Sequence, residues 1–414
     1  MAVQTETKPD QPAAKSTASD LESPFQIDEL FFSRTDDRGV IQSFNDVFVR
    51  IAEYSEKDLR GAPHKIIRHP DMPKGLFWLI WDTLKAGKPI SGYVKNRAKS
   101  GKYYWVYAII APVQGGYLSV RLKPTSPTLA VVSDLYRTLL QQERDDSLSP
   151  EESASVLLDA IRAKGFADYT DFQAHALVTE FRAREKQMPR PPLAALTSAI
   201  NVSDAQHVIA DRIASVTQEL HQATIYTLNM KLQATKLGRD RAAIDAIANN
   251  YDLILQDIMS GMDRLNSIMS DAVDSNFKQS KDSQFLLCAS GIMTEVVQAF
   301  STGRGSSSET ERARETELLR DLLGSYVKKS NDAVEIVVDE CRQVLNRMDT
   351  LRQVLLGLSA VRISLRVETQ RLGERARGLD SLIANIDESH RIIHDHFEQI
   401  FETASHMQSA IDPN

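Results

Sequence analysis

The pattern of apolar and polar positions changes character once along the chain, near Pro124. Before it, short extended runs are separated by turns. Glu29–Thr35 and Val40–Phe44 read as strands around the turn Asp36-Asp37-Arg38-Gly39, where glycine is free to take positive φ. Asn45-Asp46 opens a short helix through Val47, Phe48 and Ile51, and Ser55–Leu59 starts another that Gly61 stops. A longer helix after Asp71 places Phe77, Ile80, Trp81 and Leu84 on one face and ends at Gly87. Three strands follow: Ser91–Arg97, Tyr103–Pro112 and Tyr117–Leu122.

Beyond Pro124 the pattern is helical. Pro124-Thr125-Ser126-Pro127 reads as a hinge and Leu129–Gln142 as the helix that leaves the sheet. Ser149-Pro150-Glu151-Glu152 combines an N-cap serine, a first-turn proline and early acids, opening a helical segment to about Glu185. Pro189-Arg190-Pro191-Pro192 is a linker. Apolar steps of four and three then run Ile209, Ile213, Val216, Leu220, Ala223, Thr227, Met230, Ala234, Leu237. A second such series begins at Ile244, and a third runs Val334, Val337, Cys341, Val344, Met348, Leu351, Leu355, Leu358. Such stripes must pack on each other or on a second subunit. Lys236-Leu237-Gly238, with Asp245 and Asn250, recurs 135 residues later as Arg371-Leu372-Gly373, with Asp380 and Asn385. We read two related arms, each a helix interrupted at its glycine.

Composition narrows the class. The 414 residues carry a net charge of −7, giving no electrostatic case for nucleic acid or an anionic membrane. No run approaches the roughly 18 apolar residues of a membrane helix, so no membrane insertion and a cytoplasmic location are expected. Cys288 and Cys341 fall at apolar helical positions and read as buried free thiols. The expected domains are a disordered tail at 1–24, a sensor domain at 25–123, connecting helices and linker at 124–192, and a long-helix bundle at 193–414. A loop is expected at 301–308.

Residues from about Asp28 to Leu122 resemble the flavin-binding PAS domain of aerotaxis receptors. The resemblance rests on Phe44-Asn45-Asp46, Gly61-Ala62-Pro63-His64, Arg68-His69-Pro70-Asp71-Met72-Pro73, Trp81 with Thr83-Leu84-Lys85, and Val94-Lys95-Asn96-Arg97. Around Trp81 and Asn96 it is also similar to flavin PAS domains of nitrogen-fixation and methane-oxidation regulators. Ile90 stands where the family usually has tryptophan. The resemblance implies an α+β PAS domain, a five-stranded antiparallel sheet with flanking helices, followed by a mostly α-helical coiled-coil or helix-bundle region.

It also implies FAD as cofactor. An isoalloxazine ring needs an apolar slot with an aromatic wall and a few amides on its polar edge. Trp81 would supply the wall, Asn96 and Asn45 the amides, and Arg68 and His69 the adenine or pyrophosphate end, with Asp71 also among the cofactor-binding residues. The same residues have plainer readings: Trp81 as a core aromatic, Asn45 and Asp71 as N-caps, Arg68 as a surface ion pair. Haem, held through His64 or His69, is the less favoured cofactor, since the longer helix has no histidine.

Leu228–Gly238, with Ala248-Asn249 beyond, resembles the hairpin tip of methyl-accepting chemotaxis proteins. Gln233 and Arg239 replace the family's two glutamates, and Arg241-Ala242-Ala243-Ile244 replaces Gly-Arg-Gly-Phe. The implied partners are a second copy in a homodimer, and a chemotaxis histidine kinase with its coupling protein or other chemoreceptors. No phosphate loop, kinase domain, cyclase signature or meaningful Ser-His-Asp order is present, so an enzyme is not expected. His390 and His394 share a helix face that reads as solvated. The chain thus reads as a redox or oxygen sensor of the aerotaxis type. The alternative is a non-catalytic PAS and coiled-coil scaffold with an empty pocket.

Overall fold

A computed structural model describes residues 21–189, 191–271, 277–302, 308–376 and 378–411. Most of the expected tail, Arg190, and 303–307 of the expected loop lie outside the described residues. The chain forms two compact units. One takes in residues to Pro191 together with Cys288–Ser325; the other takes in Pro192–Leu287 and Tyr326–Asn414.

The first unit is built on a five-stranded antiparallel sheet in the order β2-β1-β5-β4-β3. Its strands are β1 Phe31–Thr35, β2 Ile41–Phe44, β3 Ile90–Arg97, β4 Tyr103–Val113 and β5 Gly116–Leu122. Helices α1 Asp46–Ala52, α2 Glu56–Leu59 and α3 Lys74–Lys85 lie between β2 and β3 in sequence. This is the element order of a PAS fold. Gly116 turns β4 into β5 at φ +144°, where a Cβ would sit 1.9 Å from the Thr35 carbonyl oxygen, so no side chain fits.

Unlike a sheet with one wet face, this one is covered on both. Helices α4 Thr128–Asp145, α5 Pro150–Arg162 and α6 Tyr169–Glu185 pack into the same unit rather than merely linking it onward. Glu180 of α6 is fully buried and accepts from Tyr93 Oη at 2.8 Å, Ser126 Oγ at 2.6 Å, and the Thr125 and Ser126 amides. The expected hinge is therefore fastened to the sheet's outer face. Glu143 of α4 accepts from the Lys74 and Gly75 amides and so caps α3, whose N-cap is Pro73 and not Asp71.

The ends of two later helices, α9 Phe277–Ser301 and α10 Glu309–Leu372, complete this unit. On β1, alternate residues face opposite ways. Phe32 meets Phe300 edge to face at 5.0 Å, and Arg34 Nε donates to both carboxylate oxygens of Glu315, at 2.8 and 2.9 Å. Arg184, fully buried, binds Glu295 at 2.7 Å.

The second unit is a four-helix bundle of α7 Ala194–Ala234, α8 Arg241–Asp271, the later part of α10, and α11 Leu379–Ile411. It packs the predicted stripes on each other within one chain. Both turns carry their glycine at positive φ, +61° at Gly238 and +52° at Gly373. The repeat extends far beyond the sequence match. Buried positions Ile209, Ile213, Val216, Ala223 and Met230 recur at Val344, Met348, Leu351, Leu358 and Leu365. On the return helices Ile244, Ala248, Tyr251, Ile258 and Met262 recur at Leu379, Ile383, Ile386, Ile393 and Phe397. The Lys231–Asp252 ion pair recurs as Arg366–Asp387. His390 is not solvated as expected: it is buried and hydrogen-bonded to Tyr251 Oη at 2.8 Å.

Candidate functional site

The inner face of the sheet and α3 enclose a cavity of about 360 Å³. That lies within the range of small-molecule sites. The stripe Phe77, Ile80, Trp81 and Leu84 forms its apolar wall. Trp81 is set edge to face against Tyr117 at 5.4 Å. A Cβ on Gly39 would lie 2.9 Å from the Trp81 ring, so that glycine both turns β1 into β2 and leaves room for the indole.

Opposite lie inward residues of the sheet: Ser33, Val94, Asn96, Ala108, Ile110, Ser119 and Arg121. Arg121 is 4% exposed. Its Nη2 donates to Ser33 Oγ at 2.9 Å and faces His64 Nε2 at 2.6 Å, and its guanidinium lies 5.4 Å from the Phe48 ring centre. Arginine only donates, so His64 accepts through Nε2 and carries its proton on Nδ1. Burial, with Arg121 and Arg68 nearby, holds His64 well below its ordinary pKa and keeps it neutral. Burial likewise pushes Arg121 down to about 10. Its Nη1 is buried without a hydrogen-bond partner among the described residues, as are Arg68 Nε and Ser119 Oγ. Among the described residues, no aspartate or glutamate lines the cavity.

Three of the sequence-predicted residues meet here: Arg68, Trp81 and Asn96. Arg68 lies flat on Phe77 at 3.4 Å, and its backbone bridges to that of Asn96. The other three stand outside the lining. The Asn45 amide is consumed by backbone: Oδ1 accepts from the Phe32 and Phe48 amides and Nδ2 donates to the Leu30 carbonyl. It caps α1 and ties it to β1. His69 is buried, and its Nδ1 accepts from the Asp71 amide at 3.1 Å. Burial and then Lys95 lower its pKa. Asp71 pairs with Lys95 at 2.6 Å; burial opposes its ionisation, yet that bond, with His69 and Arg144, holds it below its usual value. Ile90 is buried and also stands outside the lining.

Sequence reasoning missed Arg121 altogether and weighed His64 only as a haem ligand. The available signal was the parity of Tyr117, Ser119 and Arg121 on β5. Among the described residues no cluster of three or more His, Cys, Asp or Glu side chains is placed to hold a metal ion. No described helix is long and apolar enough to cross a membrane.

Residues 41–118 match the family model described as the PAS fold. Over 122 residues the chain is 43% identical to the aerotaxis receptor of Escherichia coli (strain K12), an alignment covering 28% of this chain and 24% of that protein. The chain thus spans about a quarter of the length of the curated relative it matches. It carries a PAS sensor domain similar to that of an aerotaxis receptor, and its helical region fits a chemoreceptor-like bundle.

Proposed function

We propose that this protein is a cytoplasmic, non-enzymatic redox or oxygen sensor of the aerotaxis type that binds FAD in the PAS cavity. The carrying observation is a slot with an aromatic wall facing buried, unpartnered guanidinium nitrogens and an asparagine. Unpaired buried cations are costly, and an acceptor-rich ligand removes that cost. Flavin would supply reversible electron uptake. Trp81 would stack on the ring, Asn96 would meet its amide edge, and Arg68 would pair with phosphate. A side-chain amide answers a change from acceptor to donor by rotating. Residues that face the cavity are thereby linked to the strands that carry them.

The output route we favour is β1. Ser33 faces Arg121 inside the cavity, while its neighbours Phe32 and Arg34 hold α9 and α10 through Phe300 and Glu315. A shift of this strand biases those helices directly, without passing through Pro124–Pro127. Homodimerisation, with a chemotaxis kinase and coupling protein downstream, belongs to the same reading. Exposed Ile225, Leu228 and Leu232 on α7, and Leu356, Ile363 and Val367 on α10, keep heptad spacing outside the bundle core.

A visible spectrum of the purified protein tests the proposal. Two flavin bands bleached by dithionite are expected, with Arg68→Ala and Trp81→Ala proteins colourless. Protein that stays colourless after incubation with excess FAD refutes the proposal; a Soret band would mean haem. The second reading, a scaffold with an empty pocket, draws on Gln233 and Arg239 at the hairpin tip, where the chemoreceptor signature has glutamates. Capture of a chemotaxis kinase by the tip would dismiss it.

A further inference from the structure

The cavity holds two arginines in different settings. Arg121 is 4% exposed, lies on the central strand β5 and has a buried Nη1 with no hydrogen-bond partner among the described residues. Arg68 is half-buried, leaves a short helical turn at the cavity's edge and spreads over Phe77. A solvated phosphate chain cannot reach the first without burying its own charge. A planar ring with a carbonyl and imide edge can, since that edge offers neutral or singly charged acceptors.

We propose that Arg121, set by His64 and Ser33, reads the polar edge of the flavin ring, while Arg68 reads the phosphates. Three features of Arg121 argue for a positioning role. Its guanidinium is oriented by two fixed acceptors, Ser33 Oγ and the neutral His64 ring. The Phe48 ring backs it from one side. Among the described residues its Nη1 has no partner and no carboxylate lines the cavity, so this is the group a ligand must satisfy. In the ligand-free protein this arrangement is a liability: a buried cation without a counter-ion destabilises the fold that carries it. The same charge favours a ring bearing negative charge over a neutral one.

This inference rests on the flavin reading, and the test separates the two. Riboflavin, which has the ring and no phosphate, and FAD are titrated by fluorescence against wild type, Arg121→Gln, Arg121→Lys and Arg68→Gln. Arg121→Gln is expected to weaken both ligands alike, by about tenfold or more, the worth of one charge-assisted bond. Arg121→Lys recovers part of the loss. Arg68→Gln weakens FAD more than riboflavin. Without ligand, Arg121→Gln melts at or above wild type, an outcome no purely structural arginine gives. Ligand then raises its melting temperature less than that of wild type. The proposal fails if Arg121→Gln spares riboflavin, or if it melts below wild type without ligand. Wild type that binds neither probe overturns the flavin reading and this one together. Binding that Arg121→Gln leaves intact overturns this one alone.

Discussion

The interiors of the two units are filled by opposite rules. The bundle buries a stripe that recurs position by position in two arms, almost all of it apolar. The PAS unit buries Arg34, Arg121 and Arg184, together with His69, Asn96 and Glu180. A bundle built on repetition gains stability from each layer, since every apolar side chain removes area from water. A core of buried charges gains little, because desolvation offsets most of the attraction. Where such charges are paired, as in Arg34–Glu315, they fix which surfaces meet. Where one finds no counter-ion among the described residues, as at Arg121, the desolvation cost stands uncompensated.

The paired kind gives the largest expected effect. Glu315 is 2% exposed at its side chain, and both its carboxylate oxygens accept from Arg34 Nε. Glu315→Ala strands Arg34 in the interior and is expected to cost about 3–5 kcal/mol by denaturant unfolding of that unit. The double variant Arg34→Met with Glu315→Met should recover most of the loss. If the single variant proves harmless, the contact of β1 with α10 is not a structural one.

In the bundle, the repeat predicts equal costs at equivalent places. Ile258 and Ile393 are both fully buried. Ile258→Ala and Ile393→Ala should each cost about 2–5 kcal/mol and agree with one another. Ile80→Ala, at the wall of an existing cavity, should cost less than either. A large difference between Ile258→Ala and Ile393→Ala would show that the arms are alike in pattern but not in packing.

How far this was legible from sequence follows from which signals are local. The strands, the small helices, α3 and the two glycine turns are set by period and by positive φ, both visible in one stretch of chain. Arg68, Trp81 and Asn96 came from a motif and do meet at the cavity. Asn45 belongs to the same motif but serves the backbone, and a motif alone does not separate a ligand amide from a cap. Arg121 escaped because alternation along β5 sends it away from Leu118, Val120 and Leu122, the side ordinarily read as solvent. Here the apolar side is covered by helices and the polar side faces the cavity. The α9–α10 ends on β1 also escaped. They lie some 281 residues away from Arg34 in sequence, and no periodicity carries that information.

His390 offers a medium-sized test, because the first arm has Leu255 at the equivalent position. Burial, with Arg362 nearby, pushes His390 down to about 4, while Asp387 opposes the shift. The unfolded chain, with an ordinary histidine near 6.5, binds the proton more readily between those values. The contribution is complete above about pH 6.5 and is lost as pH falls towards 4, up to about 3 kcal/mol in all. Glu340, pushed up to about 7 by burial and by Asp339, acts in the opposite sense. Its contribution is present at low pH and lost as pH rises from about 4.5 to 7. The two partly cancel in the wild type. His390→Leu copies the first arm and should uncover the Glu340 effect, a melting temperature that falls as pH rises. A difference between variant and wild type that does not change with pH would refute the assignment.

The smallest effect bears on how the arms choose each other. Asp240 and Arg375 occupy equivalent positions in the two turns and pair with each other at 2.9 Å, with Arg371 also near Asp240 at 3.7 Å. Two equivalent points that touch lie beside the axis that would exchange the arms. Identical arms would bring like charges together there, so an acid on one and a base on the other favours unlike arms over two copies of the same arm. Arg375 is 75% exposed at its side chain, so the pair contributes at most about 1 kcal/mol. Asp240→Arg should therefore lower stability slightly, Arg375→Asp likewise, and the exchange Asp240→Arg with Arg375→Asp should restore it, leaving a coupling of a few tenths to about 1 kcal/mol in a double-mutant cycle. The coupling should shrink in high salt. A cycle that closes to zero at low salt would mean that the seam alone, and not the turn, tells one arm from the other.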